Sequence, residues 1–172
     1  MYLTWRVPEF GPSIYTSLTT DEAKALRQLA QGRNVLEVGA AYGYSTVLMA
    51  EVAESVTSVD PHDALNSLAT LNRNLIDAKV DDRVDVRVGR FADIAPTLFA
   101  RHFGLVFIDG DHSYEAVKHD LEWARKLVKP FGAVIALHDY GEESCPGVQQ
   151  ALDEWKPPTY ITDTLAVYSD PR

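Results

Sequence analysis

Residues 34–50 constrain the fold of this chain more than any other stretch, because a mostly apolar run, a glycine turn and a helical segment follow one another directly. The run 35–38 is typical of a strand buried on both faces of a parallel sheet. Gly39 and Gly43 bracket the turn, and their missing Cβ atoms let a ligand approach the backbone and let the next helix pack closely. That helix is predicted to begin near Tyr44, with its first amide groups facing the crevice that the turn opens.

The spacing and the charge of this turn narrow the class of ligand. The glycines are spaced G-x-x-x-G, which differs from the dinucleotide pattern G-x-G-x-x-G, and the lysine of a phosphate-binding loop is missing. Glu37 is expected near the carboxyl end of the strand, where it repels a pyrophosphate and attracts an ammonium or sulfonium group. The pattern therefore favours a cationic cofactor without phosphate. The alternative is an exposed strand-end Glu37 and glycines that only form a turn.

The rest of the chain alternates apolar runs with helical spacing, which predicts an α/β fold. Five strands are expected at residues 35–38, 55–60, 84–88, 105–108 and 133–137, and a last helix and two short strands follow, around residues 160–161 and 165–168. Such alternation predicts a parallel sheet with helices on both faces and ligands at the carboxyl ends of the strands. Thr19 and Glu22 fit a capping box that opens the first helix.

Length predicts a single domain over residues 1–172. Residues 1–18 form an aromatic arm that Pro8 and Pro12 break. We expect this arm to pack on the core, with a flap over the cofactor or a homodimer contact as the alternatives.

Charge and cysteine content limit the partners. The net charge is −9, which argues against nucleic acid as the main partner and favours a small molecule. The sequence contains no run of about 20 apolar residues and no basic, then apolar, signal pattern, so no membrane association is expected. Cys145 is a single cysteine, which is interpreted as an inert thiol in a reducing, cytoplasmic environment.

Two strand ends suggest contacts to a nucleoside. Asp60 ends the second strand just before Pro61, where an acid in a doubly wound sheet binds ribose hydroxyls; a turn or cap aspartate is the alternative. Gly89 and Phe91 follow the third strand and are candidates for an adenine wall, although Phe91 suits the core equally well.

Acids and histidines follow the fourth and fifth strands. Asp109, Asp111 and His112 come after the fourth strand, and His138 and Asp139 come after the fifth. Asp109, His138 and Asp139 are candidate ligands of Mg²⁺ or, because one donor is a nitrogen, of a borderline metal such as Mn²⁺, Fe²⁺ or Zn²⁺. His112 is a candidate general base. The alternative is that the acids cap helices and that His138 is a hydrogen-bonding wall residue.

Several of these stretches together resemble class I S-adenosylmethionine-dependent methyltransferases. Residues 35–45 resemble motif I, closely so in the catechol and caffeoyl-CoA O-methyltransferase branch, and residues 89–96 resemble the third strand end of that branch. Residues 108–114 and 138–140 are similar to a small bacterial and phage group that includes sugar and macrolide O-methyltransferases. The resemblance implies a Rossmann-like doubly wound sheet, mostly parallel, with a terminal antiparallel strand pair and the order 3-2-1-4-5-7-6.

The resemblance also implies roles for individual residues. The implied cofactor-binding residues are Glu37, Gly39, Ala40, Gly43, Tyr44, Ser45, Asp60, Pro61, Phe91, Ala92 and Asp109. Asp109 and His112 match catalytic positions, with His112 near the position of the base. Asp109 and Asp139 match metal-ligand positions, whereas His138 stands where the family usually has an acid.

The sequence thus predicts an enzyme, a methyltransferase that moves a methyl group from S-adenosylmethionine to an oxygen of a small-molecule acceptor, with a divalent metal as a candidate helper. Because only about 18 residues precede the first cap, we expect a partner subunit to complete the pocket or a large acceptor to enter from solvent. The alternative function is a non-catalytic cofactor-binding or interaction module of the same fold. An NAD-dependent enzyme is disfavoured by the spacing of the turn and by Glu37.

Overall fold

A computed structural model describes residues 9–64 and 66–171 of the chain. The strands are β1 (Asn34–Val38), β2 (Ser55–Asp60), β3 (Val84–Val88), β4 (Leu105–Ile108), β5 (Val134–Leu137), β6 (Tyr160–Thr162) and β7 (Leu165–Ser169). The helices are α1 (Thr20–Ala30), α2 (Tyr44–Ala50), α3 (Ser67–Asp77), α4 (Phe91–Ile94), α5 (Tyr114–Leu127) and α6 (Pro146–Trp155). Short 3₁₀ turns lie at Asp81–Arg83 and Ala95–Thr97.

The strands form one seven-stranded sheet in the order β3-β2-β1-β4-β5-β7-β6. Neighbouring strands from β3 to β5 pair in parallel, while β7 runs antiparallel to both β5 and β6. The predicted order and the terminal antiparallel pair are confirmed. The alternating strand β3 lies at one edge and the apolar strand β4 lies in the centre, as their patterns predicted.

Helices cover both faces of the sheet. Helices α1, α2 and α3 pack on one face, and α5 and α6 pack on the other. Because successive strand residues point to opposite faces, Val35 packs in the core under α1, α2 and α3, and Leu36 packs in the core under α5 and α6. The same alternation turns Glu37 toward α2, and it leaves Val38 on the opposite face.

The chain reverses its direction of winding between β1 and β4, which are neighbours in the sheet. A crevice opens at such a switch point beyond the carboxyl ends of the strands, because the loops that follow the two strands diverge to opposite faces. The turn after β1 and the loop after β4 therefore border the same crevice. Helix α1 brings its first turn to this edge, where it contacts the β6–β7 turn.

Part of the segment 9–18 packs against the chain's own core, whereas the aromatic residue Tyr15 is 61% exposed. Phe10 and Ile14 contact the α1–α3 core, and Leu18 is fully buried in it. The hydroxyl of Tyr44 donates a hydrogen bond of 2.6 Å to the carbonyl of Phe10. The aromatic residues Tyr2 and Trp5 of the predicted arm lie outside the described residues, and the homodimer contact stays a prediction.

Helix α3 begins later than the apolar spacing from residue 64 predicted. Asn66 has a left-handed backbone (φ 60°), which a right-handed helix cannot include. The hydroxyl of Ser67 donates to the carbonyl of Ala64 at 3.0 Å and stabilises this entry into the helix. Leu65, a predicted apolar position, lies outside the described residues.

A membrane-crossing helix would need a long apolar stretch, and none of the helices in the described part of the chain has one.

Candidate active site

The turn after β1 requires glycine at both of the positions that the sequence singled out. Gly39 has a φ of 92°, and a Cβ there would collide with the backbone carbonyl of Asp109. Gly43 caps α2 with a φ of 90°, and a Cβ there would collide with Leu71 of α3. The first glycine therefore lets the β1 and β4 loops approach each other, and the second lets α2 pack against α3.

Asp60 lies beside this turn and accepts hydrogen bonds from its backbone. One carboxylate oxygen accepts from the amides of Ala40 at 2.8 Å and Ala41 at 2.9 Å, and the other accepts from the amide of His62 at 2.6 Å. The carboxylate of Asp60 thus fixes the turn by accepting hydrogen bonds from neutral backbone amides.

A cavity of about 690 Å³ opens next to Asp60. Its wall contains several of the predicted cofactor-binding residues, namely Gly39, Asp60, Pro61, Phe91, Ala92 and Asp109. The side chain of Phe91 is buried against the α5–α6 core as well as lining this cavity, so its place in the core is observed and its contact with an adenine ring stays a prediction. A cavity of this size accommodates a nucleoside.

A smaller cavity of about 120 Å³ adjoins the first and shares Gly39, Ala41 and Asp109 with it. Its wall contains five further predicted residues, namely Ala40, Tyr44, Ser45, His112 and Asp139. Tyr15, Thr16 and Ser17 close one side, so the predicted arm borders this cavity. The two cavities are therefore neighbours at the switch point, and together they are called the groove below.

Glu37 lies behind the turn and lines neither of these two cavities of the described structure. Its carboxylate accepts hydrogen bonds from the hydroxyls of Ser45 at 2.5 Å, Thr46 at 2.6 Å and Ser58 at 2.7 Å. Complete burial raises its pKa to about 7, although the three hydroxyls favour the ionised form. This differs from the expectation of a strand-end carboxylate, because strand alternation directs Glu37 under α2. Ser45 links Glu37 to the smaller cavity, because it donates to the carboxylate and also lines that cavity.

Charged side chains gather at the ends of β4 and β5. Nε2 of His112 lies 2.9 Å from Oδ2 of Asp139 and 3.6 Å from Oδ1 of Asp109. Nδ1 of His138 lies 3.3 Å from Oδ1 of Asp109 and 3.3 Å from Oδ1 of Asp139. On its other side, Nε2 of His138 lies 3.3 Å from Oε2 of Glu22. The predicted cluster is therefore brought together, and it includes a residue of α1.

The opposite charges in this cluster shift the pKa of every member. Burial opposes the charge of His138, but the carboxylate of Asp109 outweighs it and raises the pKa of the imidazole. The carboxylates of Asp109 and Asp139 raise the pKa of His112 to about 10. Burial works against the ionised form of Glu22, yet His138 lowers its pKa to about 2. The cluster thus stabilises positive charge between its carboxylates.

The same atoms fit a divalent cation. One oxygen of Asp109, one oxygen of Asp139 and one nitrogen of His138 all lie within 4.8 Å of one another. Two ligands at right angles around an ion at about 2.1 Å lie about 3 Å apart, close to the 3.3 Å between Nδ1 and each oxygen. Nδ1 of His138 is buried and, among the described residues, has no aligned hydrogen-bond partner. A lone pair on Nδ1 would make His138 the third ligand of such an ion, beside Asp109 and Asp139.

Glu22, Asp120 and Cys145 are among the residues at this site for which the sequence carries no functional prediction. Glu22 was assigned only to the capping box, which is present, and its contact to His138 depends on tertiary packing. Asp120 of α5 lines the larger cavity, and burial raises its pKa to about 6. A sequence signal existed for Asp120, because it falls on the apolar stripe of its helix. The thiol of Cys145 lies within 4.8 Å of ligand atoms of His112 and Asp139.

Comparison with known proteins places the chain among methyltransferase domains. A family model described as "Methyltransferase domain" matches residues 36–140. A catechol O-methyltransferase of Mycobacterium tuberculosis is 37% identical over 125 residues, which cover 70% of this chain and 56% of that protein. A catechol O-methyltransferase of Niastella koreensis is 32% identical over 119 residues, which cover 64% of this chain and 51% of that protein. The chain spans about half the length of these curated relatives.

Solved structures give the same result for the fold. Cofactor-bound Rv0187 from MTB superimposes with a TM-score of 0.70 at 28% identity, over 89% of this chain and 72% of that chain. An O-methyltransferase from Bacillus cereus in complex with SAH superimposes with a TM-score of 0.69 at 23% identity, over 87% of this chain and 79% of that chain. The seven-stranded architecture is therefore shared with both proteins.

Proposed function

The chain belongs to the methyltransferase-domain family, and we propose that it transfers the methyl group of S-adenosylmethionine to a hydroxyl oxygen of a small molecule. One observation carries the proposal: a nucleoside-sized cavity meets a smaller cavity that contains a histidine between two carboxylates. The names of the catechol O-methyltransferase relatives support the choice of oxygen as the acceptor atom.

The larger cavity is proposed to hold the nucleoside of the cofactor. Asp60 lies in the wall of this cavity, where its carboxylate oxygens would accept hydrogen bonds from ribose hydroxyls. Such charge-assisted hydrogen bonds contribute roughly 1.5–3 kcal/mol each. Phe91 and Ala92 form the wall that an adenine ring would contact. S-adenosylmethionine supplies a methyl group on a sulfonium, and the shared residues Gly39 and Asp109 lie where the two cavities meet.

His112 is proposed to accept the proton of the acceptor hydroxyl. It lines the smaller cavity, and its Nε2 lies 2.9 Å from Asp139 and 3.6 Å from Asp109 without an aligned hydrogen bond among the described residues. Its pKa is raised to about 10, so His112 is protonated at neutral pH as long as no cation neutralises the two carboxylates. A divalent cation bound by Asp109, His138 and Asp139 would neutralise those carboxylates and polarise the acceptor oxygen as a Lewis acid. Positioning of the acceptor supplies much of the remaining rate enhancement.

Calorimetry with S-adenosylhomocysteine tests the cofactor site. We expect binding by the wild type and a loss of about tenfold to a hundredfold in affinity for Asp60→Ala, because the ribose loses a charged acceptor. Asp63→Ala is a matched control, since Asp63 lines the same cavity without contacting the turn amides. Absence of binding by the wild type would remove the proposal.

Transfer of a labelled methyl group tests the chemistry. Incubation with methyl-labelled S-adenosylmethionine and a panel of small hydroxyl compounds, catechols included, should give a labelled, base-stable ether. The same assay after chelation by EDTA tests the cation, because a rate that chelation lowers and Mn²⁺ or Mg²⁺ restores supports metal assistance. A chain that binds S-adenosylhomocysteine but labels nothing would favour a binding module instead.

A further inference from the structure

Glu22 makes more contacts than a helix cap requires. Its side chain is 1% exposed, although the third residue of a helix is ordinarily at the surface. Oε2 accepts a hydrogen bond from the amide of Thr19 at 2.7 Å, which is the capping contact. Oε1 accepts from the amide and hydroxyl of Thr164, in the β6–β7 turn, at 2.8 and 2.7 Å. These bonds fix the carboxylate, and Oε2 also faces Nε2 of His138 at 3.3 Å.

This arrangement determines which nitrogen of His138 keeps its proton when the other nitrogen binds a metal ion. An ionised carboxylate only accepts hydrogen bonds, so Nε2 of His138 must be the donor to Glu22. Nδ1 then points at Asp109 and Asp139, where two oxygens lie 3.3 Å away and neither is aligned as a hydrogen-bond acceptor. In the metal-free protein these carboxylates raise the pKa of His138 and favour a proton on Nδ1 as well, and a cation lying between the same oxygens would replace that proton and bind Nδ1.

We infer that Glu22 is a positioning residue, which holds His138 as the nitrogen ligand of a divalent cation shared with Asp109 and Asp139, and so makes the site prefer a borderline transition metal over Mg²⁺. The inference rests on the cation of the proposed function. Histidine ligands in proteins commonly donate their second ring N–H to a carboxylate, and loss of that partner lowers metal affinity 10- to 100-fold. An imidazole ligand favours Mn²⁺, Co²⁺ or Zn²⁺, whereas Mg²⁺ prefers oxygen.

Titration of the metal-free protein with Co²⁺, Mn²⁺ and Mg²⁺, each as the chloride, tests the inference. In the wild type we expect Co²⁺ to bind at least tenfold more tightly than Mg²⁺ and to give a visible absorption band from nitrogen and oxygen ligation. Glu22→Gln keeps the capping box and should lower Co²⁺ affinity about tenfold. Glu22→Ala should lower it by up to about a hundredfold.

Two further variants separate positioning from general structural damage. Thr164→Val removes one hydrogen bond to Glu22 and leaves its contact to His138, so Co²⁺ affinity should stay within twofold of the wild type. His138→Asp replaces the nitrogen ligand by oxygen, and the ratio of Co²⁺ to Mg²⁺ affinity should fall at least tenfold. In the Zn²⁺-loaded protein, ¹⁵N spectra of the histidines should show the Nε2–H tautomer for His138, and Glu22→Gln should alter that signal.

Equal affinities for Co²⁺ and Mg²⁺ in the wild type would overturn the inference, as would an unchanged Co²⁺ affinity in both Glu22 variants. A folded protein that binds none of the three ions would also overturn it, and His138 would then be a permanent counter-ion of the carboxylates. Each result is independent of the methyltransferase proposal, because S-adenosylhomocysteine binding is measured separately and without metal.

Discussion

The two halves of the groove hold their carboxylates in different ways. At the ends of β1 and β2, Glu37 accepts hydrogen bonds from three hydroxyls and Asp60 accepts them from three backbone amides, with the ring of His62 as one more neighbour of Asp60 at 3.7 Å. At the ends of β4 and β5, Asp109 and Asp139 face two histidines. The first half is therefore complete without any further cation, whereas the second can exchange a histidine proton for a metal ion.

The strongest test breaks both halves at the point where they meet. Gly39→Ala places a Cβ against the carbonyl of Asp109 and strains a backbone with a φ of 92°. We expect unfolding free energy to fall by about 3 kcal/mol or more and S-adenosylhomocysteine affinity to fall over a hundredfold. Gly32→Ala is the control, because Gly32 also has a positive φ but open space around it, and it should cost only about 1 kcal/mol. Similar losses in both variants, measured by denaturation and calorimetry, would contradict this account of the turn.

The next test separates the halves by mutating one acid in each. Asp139→Asn leaves His112 and His138 with one carboxylate fewer, so methyl transfer should slow about a hundredfold or more while S-adenosylhomocysteine affinity changes less than threefold. Asp60→Ala should weaken cofactor binding and leave the rate at saturating cofactor within about threefold. Steady-state kinetics with both substrates varied distinguishes these effects. If both variants changed the same parameter, the division into two halves would be wrong.

A pH test sharpens the same contrast. The folded protein holds a proton on Glu37 up to about pH 7, above its ordinary value of 4.5, so Glu37 lowers stability progressively as pH rises between these values, by at most about 3 kcal/mol. Glu22 acts in the opposite direction, since its pKa of about 2 adds stability that is lost only in acid. His112 adds stability that is lost as pH rises from 6.5 through about 10.

Glu37→Gln isolates the first of these contributions. Denaturant unfolding of this variant should depend less on pH between 5 and 6.5 than unfolding of the wild type, because the buried carboxyl that titrates in this range is gone. Thr46→Val is the control: it removes one hydroxyl donor but keeps the carboxylate, so the pH dependence should remain. Parallel pH profiles for the wild type and Glu37→Gln would show that Glu37 stays ionised throughout.

The sequence predicted the sheet and much of the groove because both follow from local patterns. The apolar run of β4 indicates a central strand, and a doubly wound sheet brings Asp60, Asp109 and Asp139 to one edge wherever the loops between them run. The alternation of side chains along β1 also predicts where Glu37 lies, since Val35 and Glu37 are two residues apart and share a face of the sheet. Its position at the strand end favours the crevice instead, and the two signals conflict at this residue.

The contact of Glu22 with His138 could not be predicted in this way. The capping box already satisfies every local signal at Glu22, and His138 lies 116 residues further along the chain. Their contact depends on how α1 packs beside the β6–β7 turn, which Thr164 fixes from a third part of the chain. Local periodicity carries no information about such a meeting of three segments.

The smallest expected effect concerns Tyr44, which starts α2 in the first half and holds residues 9–18 over the smaller cavity. Tyr44→Phe removes the hydrogen bond to the carbonyl of Phe10 and keeps the buried ring. Unfolding free energy should fall by about 1 kcal/mol, because a typical hydrogen bond contributes roughly 0.5–1.5 kcal/mol.

The kinetic consequence of Tyr44→Phe should appear only in the acceptor. S-adenosylhomocysteine affinity should change less than twofold, whereas KM for the acceptor should rise severalfold, because Tyr15 and Thr16 border the cavity that the acceptor would enter. Thr97→Val, which removes a comparable bond to the carbonyl of Ile94 far from the smaller cavity, controls for stability alone. An unchanged acceptor KM with weakened cofactor binding would assign residues 9–18 to the nucleoside half of the groove instead.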